Sequence, residues 1–279
     1  MNNLRVGELK GVFDDLEEVF EKMEIDFYLI GALAREVWYA GSGQIQRTTK
    51  DVDFAVFIAS KTDYKDVRNF MVDEKGYTEL RTNAFVIISP KGIEIDLLPF
   101  GGIEIDDEVE FDGTGFTNIK VNGFMEVHES GTARFDLETG HSFRVATLPS
   151  IVLLKFIAYD DRPEIRAKDP RDIINIILHF FELQSDLIYE NHSDLFGQEH
   201  DPSLEELAAK VIGREIRKMI VSNTDLQLRL NEILQAHIEQ KENSALVRHM
   251  ANEAERSVET ILGLLKALFE GLTSEPPTC

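Results

Sequence analysis

Apolar positions recur with a helical period at the start of the chain and switch to a strand period soon after. Leu9, Phe13, Leu16, Phe20 and Met23 fall three and four apart, with Asp14, Asp15, Glu17, Glu18, Glu21 and Lys22 between them. This spacing predicts an amphipathic helix with an acidic outer face. FYLI at 27–30 then reads as a short buried strand, Gly31 and Ala32 as the turn into a helix, and DVDFAVFI at 51–58 as a second strand. Residues 62–76 predict a helix capped by Thr62 or Asp63 and stopped at Gly76. Ser89, Pro90, Lys91 and Gly92 are turn residues between two apolar runs, which predicts a hairpin with its second strand over 93–98. Period-2 alternation in that strand puts Glu94 and Asp96 on one face and Ile93, Ile95 and Leu97 on the other. The pattern stays strand-like in short pieces to residue 147, as in NIKVNGFMEVHES and HSFRVATL.

After Thr147 the helical period returns. LPSIVLLKFIAYDDRPEIRAKDPRDIINIILHFFELQ has helical spacing, with Asp169 as a cap and Pro170 at the first helical position. Further helix starts are predicted at Asp201, Pro202 and Ser203 and at Asn223 and Thr224. The fold class is therefore α+β. Residues 1–147 form an αβ domain with a mixed sheet flanked by helices, and residues 148–279 form an all-helical domain, with no long linker between them.

Charge narrows the partners. The chain carries 51 acidic and 29 basic side chains, a formal net charge of -22, which opposes sequence-independent contact with nucleic-acid phosphates. No DNA partner is expected. An RNA partner needs a local basic patch, for which Arg47, Lys50, Lys155, Arg162, Arg166 and Lys168 are the candidates. The single cysteine, Cys279, forms no internal disulfide. The polar start is unlike a secretory signal, and no apolar run approaches the ~18 residues of a membrane span. The expected location is the cytoplasm.

The candidate chemistry centres on Asp51 and Asp53, which alternation places on one face of a strand. Two fixed carboxylates on one face repel unless a positive charge lies between them. A third, Asp96, would bring the set to three hard oxygen ligands suited to Mg²⁺ or Mn²⁺. D-x-D also occurs by chance at exposed strand ends. The string GIEID occurs twice, ending at Asp96 and at Asp106. The first copy is favoured because DLLPF continues as a buried strand, whereas the second runs into Asp107, Glu108 and Glu110. Glu94 shares the face of Asp96 and is a secondary candidate. A glycine turn feeding a helix offers backbone N–H groups to phosphate oxygens. In the second half, Lys155 interrupts an apolar run, which calls for a salt bridge or a route to solvent, while Asp169 and Asp172 fit both a helix start and a functional role. His128, His141, His179 and His192 lack ligand-like spacing, and Trp38 reads as core.

The ordered set LIGALA, then Arg47, Thr49, Asp51 and Asp53 as R-x-T-x-D-x-D, then IEIDLLPF, resembles the nucleotidyltransferase superfamily with the DNA polymerase β type of fold. Within it, the pattern is similar to lincosamide-type antibiotic nucleotidyltransferases and to the nucleotidyltransferase toxins of abortive-infection systems. The resemblance covers residues 27–172, and KDPRD at 168–172 is similar to the Lys-Asp-x-x-Asp motif of those toxins. It implies that Asp51 and Asp53 hold two Mg²⁺ or Mn²⁺ ions and that Asp96 completes the metal site and helps deprotonate an acceptor. It also implies nucleotide binding by Gly31, Ala32, Arg47, Thr49, Lys155 and Lys168. The reaction would move an NMP from an NTP to an acceptor, releasing pyrophosphate. A small-molecule acceptor is favoured over tRNA on charge, and an oligomer is compatible with the sequence. Ala32 stands where the family usually has Gly or Ser, which motivates an alternative: a weak or inactive nucleotide-binding scaffold, part of a toxin and antitoxin pair.

Overall fold

A computed structural model describes residues 6–40, 51–113, 115–196 and 202–274. The chain divides into two compact units, Met1–Thr147 and Leu148–Cys279.

In the first unit, a turn of 3₁₀ helix runs into α1 (Lys10–Lys22), followed by β1 (Phe27–Ile30), α2 (Gly31–Tyr39), β2 (Asp51–Phe57) and α3 (Lys61–Lys75). Then come β3 (Thr78–Glu79), β4 (Val86–Ile88), β5 (Glu94–Phe100), β6 (Glu108–Glu110), β7 (Asn118–Lys120), α4 (Phe124–Ser130), β8 (Thr132–Asp136) and β9 (Ser142–Ala146). Seven of these strands form one mixed sheet in the order β3-β4-β5-β2-β1-β9-β8, and β6 pairs with β7 apart from it. β2 lies at the centre, parallel to β5 and antiparallel to β1. Its inner positions Val52, Phe54, Ala55 and Val56 are fully buried, the run expected of a central strand covered on both faces.

Aromatic rings fill one face. Phe13 from α1 meets Phe54 and Phe143 edge-on at 6.2 and 5.0 Å, and Phe27 lies 5.3 Å from Phe143. Edge-to-face contacts of this kind add to the hydrophobic term. The apolar stripe of α1, from Leu9 through Phe20, is buried as its period requires, and α3 packs beside it. On the other face Tyr28, Phe57, Phe100 and His128 form a second ring cluster.

Three local expectations are corrected. The cap of α3 is Ser60, whose hydroxyl accepts from the Asp63 N–H, so the helix starts before Thr62. Residues 124–130 form helix α4, not strand; Gly123 enters it in the left-handed region at φ 86°, and Phe124 and Val127, three apart, are its buried contacts. The third correction falls in the second unit.

That unit consists of helices α5 (Leu148–Asp161), α6 (Asp169–Leu183), α7 (Ser185–Asn191), α8 (Leu204–Ile220), α9 (Thr224–Gln240), α10 (Ala245–Ala254) and α11 (Val258–Thr273), with short 3₁₀ turns. Asp169 is the first residue of α6 and not its cap; Lys168 occupies that position without a side-chain cap bond. The start of α8 carries a capping box, in which Ser203 and Glu206 satisfy each other's backbone N–H groups. Asn223 caps α9. α8 and α11 cross at two glycines, where an added Cβ on Gly213 would meet Leu268 O at 2.1 Å and one on Gly271 would meet Lys210 O at 2.0 Å. Their backbones approach too closely for any other residue. Among the described residues no helix is long and apolar enough to cross a membrane.

Candidate active site

The sheet brings the predicted carboxylates together. In the β2–β5 register Asp53 faces Asp96 and Asp51 faces Glu94. Side chains of paired residues on neighbouring strands project to the same face about 5 Å apart. One oxygen from each of Asp51, Asp53 and Asp96 lies within 4.8 Å of the others, and all three residues are half-buried. Glu94 is exposed and stands outside this group. Asp106 lies in a turn instead, with Asp106 and Asp107 both in left-handed conformations at φ 52° and 59°.

Three like charges at this spacing repel. At an effective dielectric of about 20 each fully charged pair costs about 3 kcal/mol, less where water screens it. A divalent cation offsets that cost, and an all-oxygen donor set of three carboxylates fits a hard ion such as Mg²⁺ or Mn²⁺.

The helix beside the cluster opens at Gly31. Ile30 pairs with Asp53 across β1 and β2, so the chain turns into α2 directly against that carboxylate. Gly31 has φ +69°, and a Cβ built on it would lie 2.2 Å from Asp53 Oδ2. Both the left-handed backbone and the close approach demand glycine. The N-cap residue Ile30 supplies no side-chain cap, and no acid occupies the first turn of α2; a helix start of this kind is suited to an anion. Ala32 follows, half-buried, with its backbone N–H retained. Arg47 and Thr49 lie outside the described residues.

Two charged residues on α2 escaped the sequence reading. Arg35 and Glu36 are both buried, and burial pushes the Glu36 carboxyl up to about 7, opposed by the charge of Arg35. Glu36 Oε1 has no hydrogen-bond partner among the described residues. Hydropathy gives no sign of this, because an Arg-Glu pair inside a short helix reads as a solvated turn.

In the second unit Lys155 on α5 meets Asp169 Oδ1 at 2.7 Å and Asp172 Oδ2 at 2.8 Å. Burial works to lower the Lys155 pKa, and the two carboxylates outweigh it, so the ammonium titrates above its ordinary range. The salt bridge that an interrupting lysine calls for is thus supplied by the same two acids that begin α6. Lys168 is exposed. The histidines take carboxylate partners: His141 lies 3.2 Å from Asp14, and His192 lies 2.9 Å from Glu215. Trp38 donates to the Ala146 carbonyl.

A mixed sheet with carboxylates on adjacent parallel strands, beside a helix opened by glycine, is consistent with a nucleotidyltransferase-like fold. The chain belongs to the family described as nucleotidyl transferase AbiEii toxin of type IV toxin–antitoxin systems, which matches residues 14–264. No curated protein matches it. Among solved structures it is similar to the antibiotic-resistance factor ANT(2'')-Ia at 10% identity and a TM-score of 0.40, covering 84% of this chain and 100% of that one.

Proposed function

We propose that this chain moves a nucleoside monophosphate from an NTP to a hydroxyl or phosphate on an acceptor and releases pyrophosphate. The observation that supports this reading is the gathering of Asp51, Asp53 and Asp96 within 4.8 Å beside the Gly31 turn. Asp51, Asp53 and Asp96 would hold Mg²⁺ or Mn²⁺, two ions being expected with nucleotide bound. When bound, such ions neutralise charge on the phosphoryl group and polarise the reacting oxygens.

The residues of the chain position the reactants and handle the proton. Backbone N–H groups at Gly31 and Ala32 hold triphosphate oxygens. Asp96 accepts the proton of an acceptor hydroxyl. The acceptor oxygen then forms a bond to the α-phosphorus as the bond to the bridging oxygen breaks, and pyrophosphate leaves. Catalysis of this kind is mainly positioning and charge neutralisation. Lys155 and Lys168 are assigned to the nucleotide phosphates. For Lys155 this role adds to its ion pairs, so Lys168→Ala is the cleaner test: it weakens NTP binding and leaves the fold unchanged. The net charge of -22 favours a small-molecule acceptor over tRNA.

The test is pyrophosphate release from NTPs with Mg²⁺ or Mn²⁺ by wild type, Asp51→Asn and Asp53→Asn. Loss in both variants is expected, and equal release by all three refutes the assigned roles. Ala32, in place of the usual Gly or Ser, supports a second reading as a nucleotide-binding scaffold. Calorimetric NTP binding without any transferred product would select it.

A further inference from the structure

Asp96 completes the carboxylate cluster from a strand whose hydrogen bonding is interrupted beside it. Across β4 and β5, Val86 faces Asp96, and the next ladder pair would be Phe85 with Leu97. Only half of that pair forms. The Leu97 N–H donates to the Phe85 carbonyl at 2.9 Å, but the Phe85 N–H turns back to Asn83 Oδ1 at 3.0 Å. The Leu97 carbonyl, one residue after Asp96, thus loses its strand partner, and an unsatisfied buried carbonyl is costly.

Tyr64 replaces that partner. Its hydroxyl, fully buried, donates to Leu97 O at 2.8 Å. Burial pushes the hydroxyl up to about 12, so it remains a donor throughout the neutral range. Arg68, one turn further along α3, reaches the same strand pair: Nη2 donates to Val86 O at 3.3 Å, and Nε pairs with Glu79 at 3.1 Å. Its guanidinium also lies over the Tyr64 ring, 5.7 Å from the centroid. Phe111 stacks on that ring at 5.0 Å. The tyrosine is therefore fixed in place as well as bonded. α3 packs with α1 under the Phe54 face, whereas Asp51, Asp53 and Asp96 alternate to the opposite face.

We propose that Tyr64, backed by Arg68, is a positioning residue that holds Asp96 in register with Asp51 and Asp53 by replacing the missing β4 bond to Leu97. The inference rests on the reading of the three carboxylates as a metal site.

The experiment is calorimetric titration of Mn²⁺ alone into wild type, Tyr64→Phe and Tyr28→Phe, with a thermal melt of each. Tyr28 is a matched control: it is also fully buried and donates to a backbone carbonyl, Phe124 O, at 2.9 Å. Both variants should lose similar thermal stability. Only Tyr64→Phe should lose Mn²⁺ affinity, by about tenfold, the lower end of what outer-shell partners contribute to metal sites. Equal affinity in Tyr64→Phe and wild type, or equal loss in both variants, overturns the inference alone. Absence of Mn²⁺ binding by wild type overturns the site reading and the inference with it.

Discussion

The two units each gather acids, and they do so in opposite ways. In the first, three half-buried carboxylates from β2 and β5 converge within 4.8 Å. In the second, two buried carboxylates close on one ammonium at 2.7 and 2.8 Å. The second cluster contains its own counter-charge, so it stabilises helices α5 and α6 against each other. The first brings three carboxylates together from two adjacent parallel strands, an all-oxygen set suited to a divalent cation. The comparison is between acids gathered around a lysine and acids gathered around one another.

The largest expected effect lies in the lysine cluster. Lys155→Met removes the ammonium that two buried carboxylates share and should cost about 3–5 kcal/mol, measured by urea unfolding. Adding Asp169→Asn and Asp172→Asn should recover most of that loss; if the triple variant is no more stable than the single one, the triad does not act as a unit.

Glu36 sharpens the comparison as a buried acid whose Oε1 has no hydrogen-bond partner among the described residues. Its carboxyl titrates near 7 in the folded protein against an ordinary 4.5, so the folded state holds the proton more tightly. This contribution to stability is complete below pH 4.5 and is lost as pH rises through about 7, a change of about 2–3 kcal/mol. Glu36→Gln should flatten that dependence and stabilise the protein at pH 8, with little change at pH 4. Unfolding curves at the two pH values decide it, and a parallel shift at both contradicts the assignment.

Gly31→Ala tests the three-carboxylate cluster through its backbone. The left-handed conformation alone costs about 1–2 kcal/mol for a residue with a Cβ, and the new methyl group must displace Asp53. Activity should fall further than stability. A variant that melts lower yet releases pyrophosphate at the wild-type rate would break the link between the turn and the carboxylates.

The smallest effect is read on metal binding. Asp53→Asn keeps the shape of the side chain and removes one of the three carboxylates that would hold a cation. It should abolish stabilisation by Mn²⁺, whereas wild type melts higher as Mn²⁺ is added. Equal Mn²⁺ stabilisation of both proteins would contradict the site.

Much of this was legible in the sequence where periodicity and turn chemistry act locally. FYLI became β1 with the expected limits, and the turn at 89–92 joined β4 to β5. Alternation put Asp51 with Asp53, and Asp96 with Glu94, on one face of their own strands, the β2–β5 pairing joined the two sets, and the buried DLLPF run distinguished Asp96 from Asp106. What escaped depends on tertiary partners. Lys155 is satisfied by residues 14 and 17 positions away, which helical spacing does not reveal. Tyr64 and Arg68 look like surface positions of a polar helix, and their value comes from a bond missing in a strand about thirty residues later. Helix α4 is two turns long and depends on the left-handed Gly123, so strand-like residues such as Val127 dominated its local pattern. Arg47 and Thr49 fall outside the described residues, and their part in the site rests on the family pattern.

The central claim is that Asp96, and not its duplicate, completes one site with Asp51 and Asp53. Pyrophosphate release from an NTP mixture with Mn²⁺, measured for Asp96→Asn against Asp106→Asn, tests it most directly. Asp96→Asn should fall to background like Asp53→Asn, while Asp106→Asn keeps the wild-type rate. Undiminished release by Asp96→Asn, or equal loss in both variants, would contradict the account.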